Sequence, residues 1–373
     1  MKLAIISHTE HYKDANGDLV GWGPTISEIN YLSDHFETIY HLAFLHEDTP
    51  PPSSLPYTAN NVIFVALPIS GGASFIKKLT ILTNLPRTLK IIKSTLKNVD
   101  AFQFRAPIGM GVFVIPWLTK MTKKKGWFKY AGNWNQEHPP LGYRIQRGLL
   151  KKQSRTVTIN GAWADQPSHC LTFENPCLLK EEREEGLEVI SSKSYKGPFS
   201  LCFVGRLEDP KGVQRIIDAL SNLSDKAHLD HIHFIGNGAK FEQYQEQCIA
   251  IGLPATFHGF LSRKEVFEVY RKCQFLLLPS TASEGFPKVI AEGMNFGCIP
   301  IISNVSSITQ YVNEENGFVV APTTSNRLLE VLQEAFCNSE EALNELAISG
   351  HTSVKNFTFE YYTHRILGEI LQK

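Results

Sequence analysis

Along the second half of the chain, short apolar runs alternate with longer stretches whose apolar positions recur at helical spacing. Residues 199–204, 232–235, 256–258, 275–278 and 299–303 read as strands, and 317–320 carries a further apolar run. Helices are predicted over 213–223, 239–251 and 263–271, and from Pro287 to about Gly297. Uninterrupted apolar strands are expected where both faces of a sheet are covered, and strand–helix alternation makes that sheet parallel. The reading is a doubly wound α/β domain. The last segment, 353–373, ends in a helix with Tyr361, Tyr362, Ile366 and Ile370 as packing positions.

The first half carries the same grammar less regularly. A strand over 3–7 leads into a loop with Gly17, Gly21 and Gly23, and a helix follows over 25–34. Further strands are predicted at 38–43, 62–67, 101–105, 127–131, 156–160 and 170–173, with a Pro-rich loop over 48–60. Residues 75–97 read as a helix broken at Pro86, and 109–124 as an apolar helix ending in lysines. No G-x-G-x-x-G is present, so the dinucleotide fingerprint is not supported.

A chain of 373 residues exceeds one ordinary core, and two domains are expected. The pattern divides them as 1–178, an acid-rich linker over 179–198, 199–352, and a C-terminal helical segment 353–373 packing back on the first domain. The longest uninterrupted apolar run, 108–118, is too short to span a bilayer. The N-terminus reads as a first strand rather than a signal peptide. Seven cysteines without a Cys-x-x-Cys spacing read as reduced thiols in a cytoplasmic protein.

Charge changes this picture more than composition does. Residues 1–178 carry 19 Lys+Arg against 12 Asp+Glu, and the remainder 18 against 25, so a basic half precedes an acidic one. Between 71 and 130 there are 12 basic residues and one acid, Asp100. Lysines interleaved with apolar residues over 77–97, and beside Trp127 and Phe128 over 120–129, suit an anionic membrane surface. The bland reading is a solvated helix end followed by a core strand. No zinc-finger or aromatic RNA-binding pattern accompanies the charge, so nucleic acid is not expected.

Candidate chemistry concentrates in residues 280–293. An apolar strand, a small polar loop and Pro287 at a helix start place free N–H donors where a phosphate is stabilised. Glu292 lies about 7.5 Å further along the helix, within reach of a sugar hydroxyl on the same ligand. Taken alone, the stretch reads equally as a buried βα unit with two incidental glutamates. Around it, Arg206 and Lys211 flank a glycine-bounded loop and supply two cations for a diphosphate. Gly236 and Gly238 permit close backbone approach, and Phe260 and Leu261 follow another strand. All these loops lie at the carboxyl ends of parallel strands, where open α/β sheets bind ligands.

Gly205-Arg206-Leu207 with Lys211-Gly212, and Glu284-Gly285-Phe286-Pro287-Lys288-Val289-Ile290-Ala291-Glu292, resemble the E-x7-E pattern of the family 4 glycosyltransferases. These are retaining enzymes of the two-Rossmann-domain GT-B fold; Gly317-Phe318-Val319-Val320 adds to the resemblance, which covers 199–322 well and the first half weakly. It implies a nucleotide-diphosphate sugar donor, a glycan or lipid-linked glycan acceptor, and polysaccharide-type biosynthesis. Arg206 and Lys211 then hold the diphosphate, and Glu284 contacts the transferred sugar. Gly205, Gly236, Gly238 and Gly285 with Phe286 shape the donor site. The amides of Lys288 and Val289 cap the distal phosphate, Glu292 binds ribose, and Phe260 and Leu261 lie near the base. Gly23 approaches the phosphates from the first domain.

The family's acceptor-domain histidine has no counterpart at Asn133, the matching position; His8 and His138 are substitutes, and Arg105 is a second acceptor-side candidate. Without an Asp-x-Asp, metal independence is expected, with no cofactor. The cluster His228, His231, His233 is set aside as a loop-to-strand accident with side chains on opposite faces, and Cys170 and Cys177 as packing. The alternatives are an epimerase or phosphorylase of the same fold, or a non-catalytic sugar-nucleotide-binding protein.

Overall fold

The computed structural model describes residues 1–72 and 74–372, with the side chains of 75–78, Lys77 and Lys78 included, outside that description. The chain forms two compact units: residues 1–175 with 359–373, and residues 176–358.

The strands of unit 1 are β1 (Lys2–Lys13), β2 (Leu19–Trp22), β3 (Thr38–Leu45), β4 (Ser54–Pro56), β5 (Val62–Leu67), β6 (Ala101–Ala106), β7 (Lys125–Tyr130), β8 (Val157–Ile159) and β9 (Cys170–Thr172). Its helices before residue 175 are α1 (Gly23–Ser33), α2 (Phe75–Leu96), α3 (Gly111–Met121) and α4 (Leu141–Lys151). β1 pairs in parallel with β3 and β6, and β5 to β9 extend the parallel sheet on either side. Along β1, Ala4 and Ile6 join the core with Phe102 and Phe104, while Leu3 and Ile5 join Trp127 and Tyr362 on the other face. That two-sided burial is why the strands read as continuous apolar runs.

Several expectations for unit 1 are corrected. The glycine loop after the first strand is a β-hairpin: β1 runs to Lys13 and pairs antiparallel with β2, His11 opposite Gly21. A Cβ on Gly21 would stand 2.7 Å from the His11 ring, so this glycine answers to packing. The Pro-rich stretch contains β4, which borders β2, an edge position where prolines are tolerated. Pro86 does not break α2; it lies inside the helix at an exposed position, where the carbonyl that its missing N–H leaves free is open to solvation. Trp127, Phe128 and Lys129 are buried in β7, so that part of the basic stretch cannot face a membrane. Lys120, Lys123 and Lys125 remain exposed, as do Lys90 and Lys93 on α2 and Lys97 just after it.

Unit 2 begins with α5 (Lys180–Ser192), where the sequence suggested a linker. The acids there serve the helix: Glu181 and Glu182 occupy the first turn, where negative charge is favoured. Gly186 lies so close to the Asn295 carbonyl that a Cβ would approach it to 2.2 Å. The rest is strand and helix in alternation: β10 (Phe199–Val204), α6 (Val213–Ser221), β11 (Leu229–Ile235), α7 (Phe241–Ala250), β12 (Ala255–Gly259), α8 (Arg263–Lys272), β13 (Phe275–Leu278), α9 (Lys288–Asn295), β14 (Ile299–Ser303) and β15 (Phe318–Val320). Helices α10 (Ser325–Phe336) and α11 (Glu340–Ser353) complete it. All six strands are parallel, in the order β12-β11-β10-β13-β14-β15. The unit therefore starts at 176 and ends at Thr358, and the chain returns to unit 1 as α12 (Phe359–Arg365) and a π-helical turn over Ile366–Leu371. Tyr362, Ile366 and Ile370 pack with Leu3, Ile5 and Trp127.

Candidate functional site

Four loops at the carboxyl end of the unit 2 sheet build the candidate site. The loops after β10 and β11 lie directly on each other, with the Leu207 amide donating to the Asn237 carbonyl at 3.0 Å. A Cβ on Gly236 would stand 2.0 Å from the Gly205 carbonyl oxygen, and one on Gly238 2.3 Å from that of Leu207. These glycines are required by loop-on-loop contact, a different reason from the ligand approach expected of them. Gly236 also has φ +125°, a conformation that disfavours any side chain. Gly205 itself donates to the Ile235 carbonyl at 3.0 Å and joins the two strand ends.

Lys211 ends a short 3₁₀ turn, Asp209–Lys211, whose position is fixed from two sides. Asp209 pairs with Lys240 and accepts the Tyr244 hydroxyl at 2.5 Å. The Pro210 carbonyl accepts the Thr281 amide at 2.8 Å and the Ser280 hydroxyl at 3.2 Å. Arg215 Nε donates to the Pro279 carbonyl at 3.0 Å, binding the same two segments again. With the loops clamped, Lys211 Nζ forms an ion pair with Glu284 Oε1; the lysine side chain is 13% exposed and the glutamate 36%. The sequence thus named two residues, 73 positions apart, that the fold brings together. Arg206 is different: it is 72% exposed and pairs with Glu208 at 3.0 Å.

After Glu284 the chain is anchored by Phe286, which is buried against Tyr311 and Phe357 with ring centroids 5.0 and 4.8 Å away. Phe286 is therefore a core residue rather than a ligand contact, and neighbouring Gly285 is buried too. Pro287 stands at the N-cap instead of the first helical position, with no side chain capping α9. Lys288 and Val289 are its first two residues, so their amides have no intrahelical acceptor and are free for an anion. Lys288 and Glu292 are four apart and share a helix face. Burial pushes the Glu292 carboxyl up, opposed by the positive charges of Arg263 and Lys288. Arg263, absent from the expected site, is held by Glu182 and by the Cys177 carbonyl. The signal for it was Ser262-x-x-Glu265, a capping box that fixes the start of α8 and hence the place of Arg263. Leu261 packs partly on the core, while Phe260 is 42% exposed.

The expected acceptor-side residues all lie in unit 1. Arg105 is buried, pairing with Glu28 at 2.8 Å and donating from Nε to Gln103 at 2.8 Å. Lys129 takes the other Glu28 oxygen at 2.8 Å, and the Tyr362 hydroxyl donates to Glu28 at 2.8 Å. Arg105 thus belongs to an ion-pair cluster holding α1, β6, β7 and α12 together, which corrects its acceptor assignment. Asn133 accepts the Asn135 amide at 3.0 Å in a turn, and His8 and His138 are exposed. Gly23 donates its amide to the Ser53 carbonyl at 3.0 Å, and a Cβ there would stand 2.5 Å from that oxygen. Its smallness is explained by β4 packing alone.

His231 and His233 do share a face, because residues two apart in a strand point the same way. Their ring centroids are 4.8 Å apart, and His233 Nδ1 lies 3.0 Å from His258 Nε2. Among the described residues no group of three or more His, Cys, Asp or Glu is arranged to hold a metal ion. Cys170 and Cys177 are buried.

Comparison with known proteins finds similarity over part of the chain. Residues 188–348 match the model of the glycosyl transferases group 1 family. An uncharacterized glycosyltransferase of Methanocaldococcus jannaschii is 31% identical over 160 residues, 42% of this chain and 44% of that protein. The lipopolysaccharide glucosyltransferase WaaG of Escherichia coli is 28% identical over 131 residues, 35% of each chain. The similarity therefore spans less than half the length of either relative. Among solved structures, Anabaena HepE in complex with UDP and glucose superposes with a TM-score of 0.69 over 100% of both chains, at 14% identity. Residues 188–348 are thus similar to the glycosyl transferases group 1 family, and the chain has the GT-B fold.

Proposed function

We propose that the protein is a retaining glycosyltransferase of family 4 type, moving a sugar from a nucleotide-diphosphate donor to a glycan or lipid-linked glycan hydroxyl. The observation that carries this reading is the Lys211–Glu284 ion pair, clamped at the carboxyl end of the unit 2 sheet just before the uncapped start of α9. Breaking a sugar–phosphate bond builds negative charge on the departing diphosphate. Lys211 and the Lys288 and Val289 amides supply fixed positive charge and dipoles for it, with Arg206 reaching in from solvent. Glu284, held by Lys211, offers its carboxylate to the sugar hydroxyls, and Glu292 accepts those of the ribose. Phe260 covers the base. Glu284 is not a nucleophile here: a covalent route needs a second carboxylate flanking the sugar, and one is assigned to it. The leaving phosphate takes the acceptor proton in a same-face displacement, without a metal ion.

The named relatives support the substrate class: one transfers glucose in lipopolysaccharide synthesis, and one fold neighbour holds UDP and glucose. A cytoplasmic enzyme on the inner membrane face suits such an acceptor. The exposed lysines of α2 and the α3 end, with exposed Phe113, Met121 and Leu141 on the packed pair α3–α4, support membrane contact. The test is incubation with a panel of nucleotide sugars, reading nucleoside diphosphate release. Release from one donor, rising when its acceptor is added, is expected; no release with any donor despite nucleotide binding contradicts the reading.

A further inference from the structure

A hollow of about 900 Å³ opens in unit 1 between the β1–β2 hairpin and the Pro-rich connection, and no part of the proposed donor chemistry uses it. Tyr57, Phe64, Val62 and Pro51 line it with apolar surface, and Asp14 and Asp18 add carboxylates. No lysine or arginine is among its lining residues. An anionic ligand is thereby disfavoured, which separates this site from a phosphate site.

Tyr57 is held by a closed ring of hydrogen bonds. His11 is buried, and burial lowers its pKa to about 4, so it is neutral and carries one N–H. Its Nδ1 lies 3.1 Å from the Thr9 carbonyl, which can only accept, so the proton sits on Nδ1. Its Nε2 is then a bare acceptor and takes the Tyr57 O–H at 2.8 Å. The Tyr57 oxygen in turn accepts His41 Nδ1–H at 2.6 Å, leaving His41 Nε2 to accept the Ser7 hydroxyl at 2.9 Å. Ser7 Oγ accepts the Thr9 amide at 3.1 Å, which closes the ring. With its proton committed to His11, Tyr57 offers a ligand its ring. His11 also stacks on Tyr57 at 18° and contacts Phe64 with centroids 4.6 Å apart, backing both aromatic walls.

The rim is equally fixed. Asp14 Oδ1 accepts the Asn16 and Asp18 amides, each at 2.9 Å, and Gly17 turns the chain at φ +84°.

We propose that this hollow binds an uncharged sugar residue, Tyr57 and Phe64 stacking on its C–H face and Asp14 and Asp18 accepting its hydroxyls. Such a ligand presents both an apolar face and a rim of donors, as the lining requires. The assignment rests on the glycan-acceptor reading above and gives that acceptor a subsite.

The test applies the full chain to an array of neutral and acidic oligosaccharides, with nucleoside diphosphate release measured on the same preparations. Neutral glycans are expected to bind, with affinity falling about tenfold or more in Tyr57→Ala and in Asp18→Lys. Asp18 is exposed, so Asp18→Lys decides the matter if Tyr57→Ala does not fold. Binding limited to acidic glycans, no glycan binding by an enzyme that still turns over, or unchanged binding in Asp18→Lys overturns the subsite. Neutral-glycan binding without turnover on any donor leaves the subsite standing and removes the transferase reading instead.

Discussion

Lys211 and Glu284 are 73 positions apart in sequence yet form one ion pair, because Pro210 and Arg215 tie their loops together. Removing Lys211 takes charge stabilisation from the leaving group, removing Glu284 takes the carboxylate from the sugar hydroxyls, and either change leaves the other residue without its ion-pair partner. Lys211→Ala and Glu284→Ala are each expected to lower turnover about 10²- to 10³-fold. Far-ultraviolet circular dichroism should be unchanged, since both side chains sit at loop ends outside the core. Near-normal turnover in both variants refutes the site. Glu292 makes a different prediction. Its folded carboxyl is raised above the ordinary 4.5, so the folded state favours the proton. That contribution to stability is full below pH 4.5 and is lost as pH rises through the raised value. Glu292→Gln, a mimic of the protonated acid, should melt above wild type at pH 7 and level with it near pH 4. A variant melting below wild type at pH 7 contradicts the assignment of burial as the dominant influence. The residue scale also shows where sequence misleads: Phe286 and Arg105 have the chemistry of ligand contacts, but a ring pair and a buried carboxylate claim them.

Elements tell the converse story. The central strands of unit 2 were legible because β10, β13 and β14 are largely apolar runs with glycine or proline close by, and they fall where the pattern puts them. Helix α5 was not legible, since its charges looked like a linker and its packing on α9 depends on Gly186, a residue without pattern. The hairpin of β1 and β2 was hidden for a similar reason: glycines that read as a phosphate loop are small to admit His11 and Ser53. In unit 2 the same residue type is used to cross two loops. Gly236→Ala places a methyl 2.0 Å from a carbonyl oxygen at φ +125°, so the loops must part. The expected cost is about 2 kcal/mol or more, together with weaker nucleotide binding. Urea unfolding and nucleotide titration measure both, and a variant as stable as wild type would show that the crossing is not tight.

At the scale of the molecule, the charge asymmetry seen in the sequence is carried by two units with separate cores and separate sheets. The basic unit also exposes apolar side chains, Met121 at 69% and Leu141 at 62% among them. Sedimentation with anionic vesicles at low ionic strength should bring the protein down. About 1 M salt, where charges are screened within about 3 Å, should release most of it. Recovery in the supernatant at low salt would remove the membrane from the account. The GT-B architecture, by contrast, is shown by solved structures matching the full length of the chain.

The central claim is that residues 284–292, with Lys211, form the donor site, and a crystal grown with a nucleoside diphosphate tests it most directly. The account predicts the distal phosphate on the Lys288 and Val289 amides, within hydrogen-bond reach of Lys211, and the ribose hydroxyls on Glu292. A diphosphate bound elsewhere, with the Lys211–Glu284 pair intact and the start of α9 untouched, would contradict it.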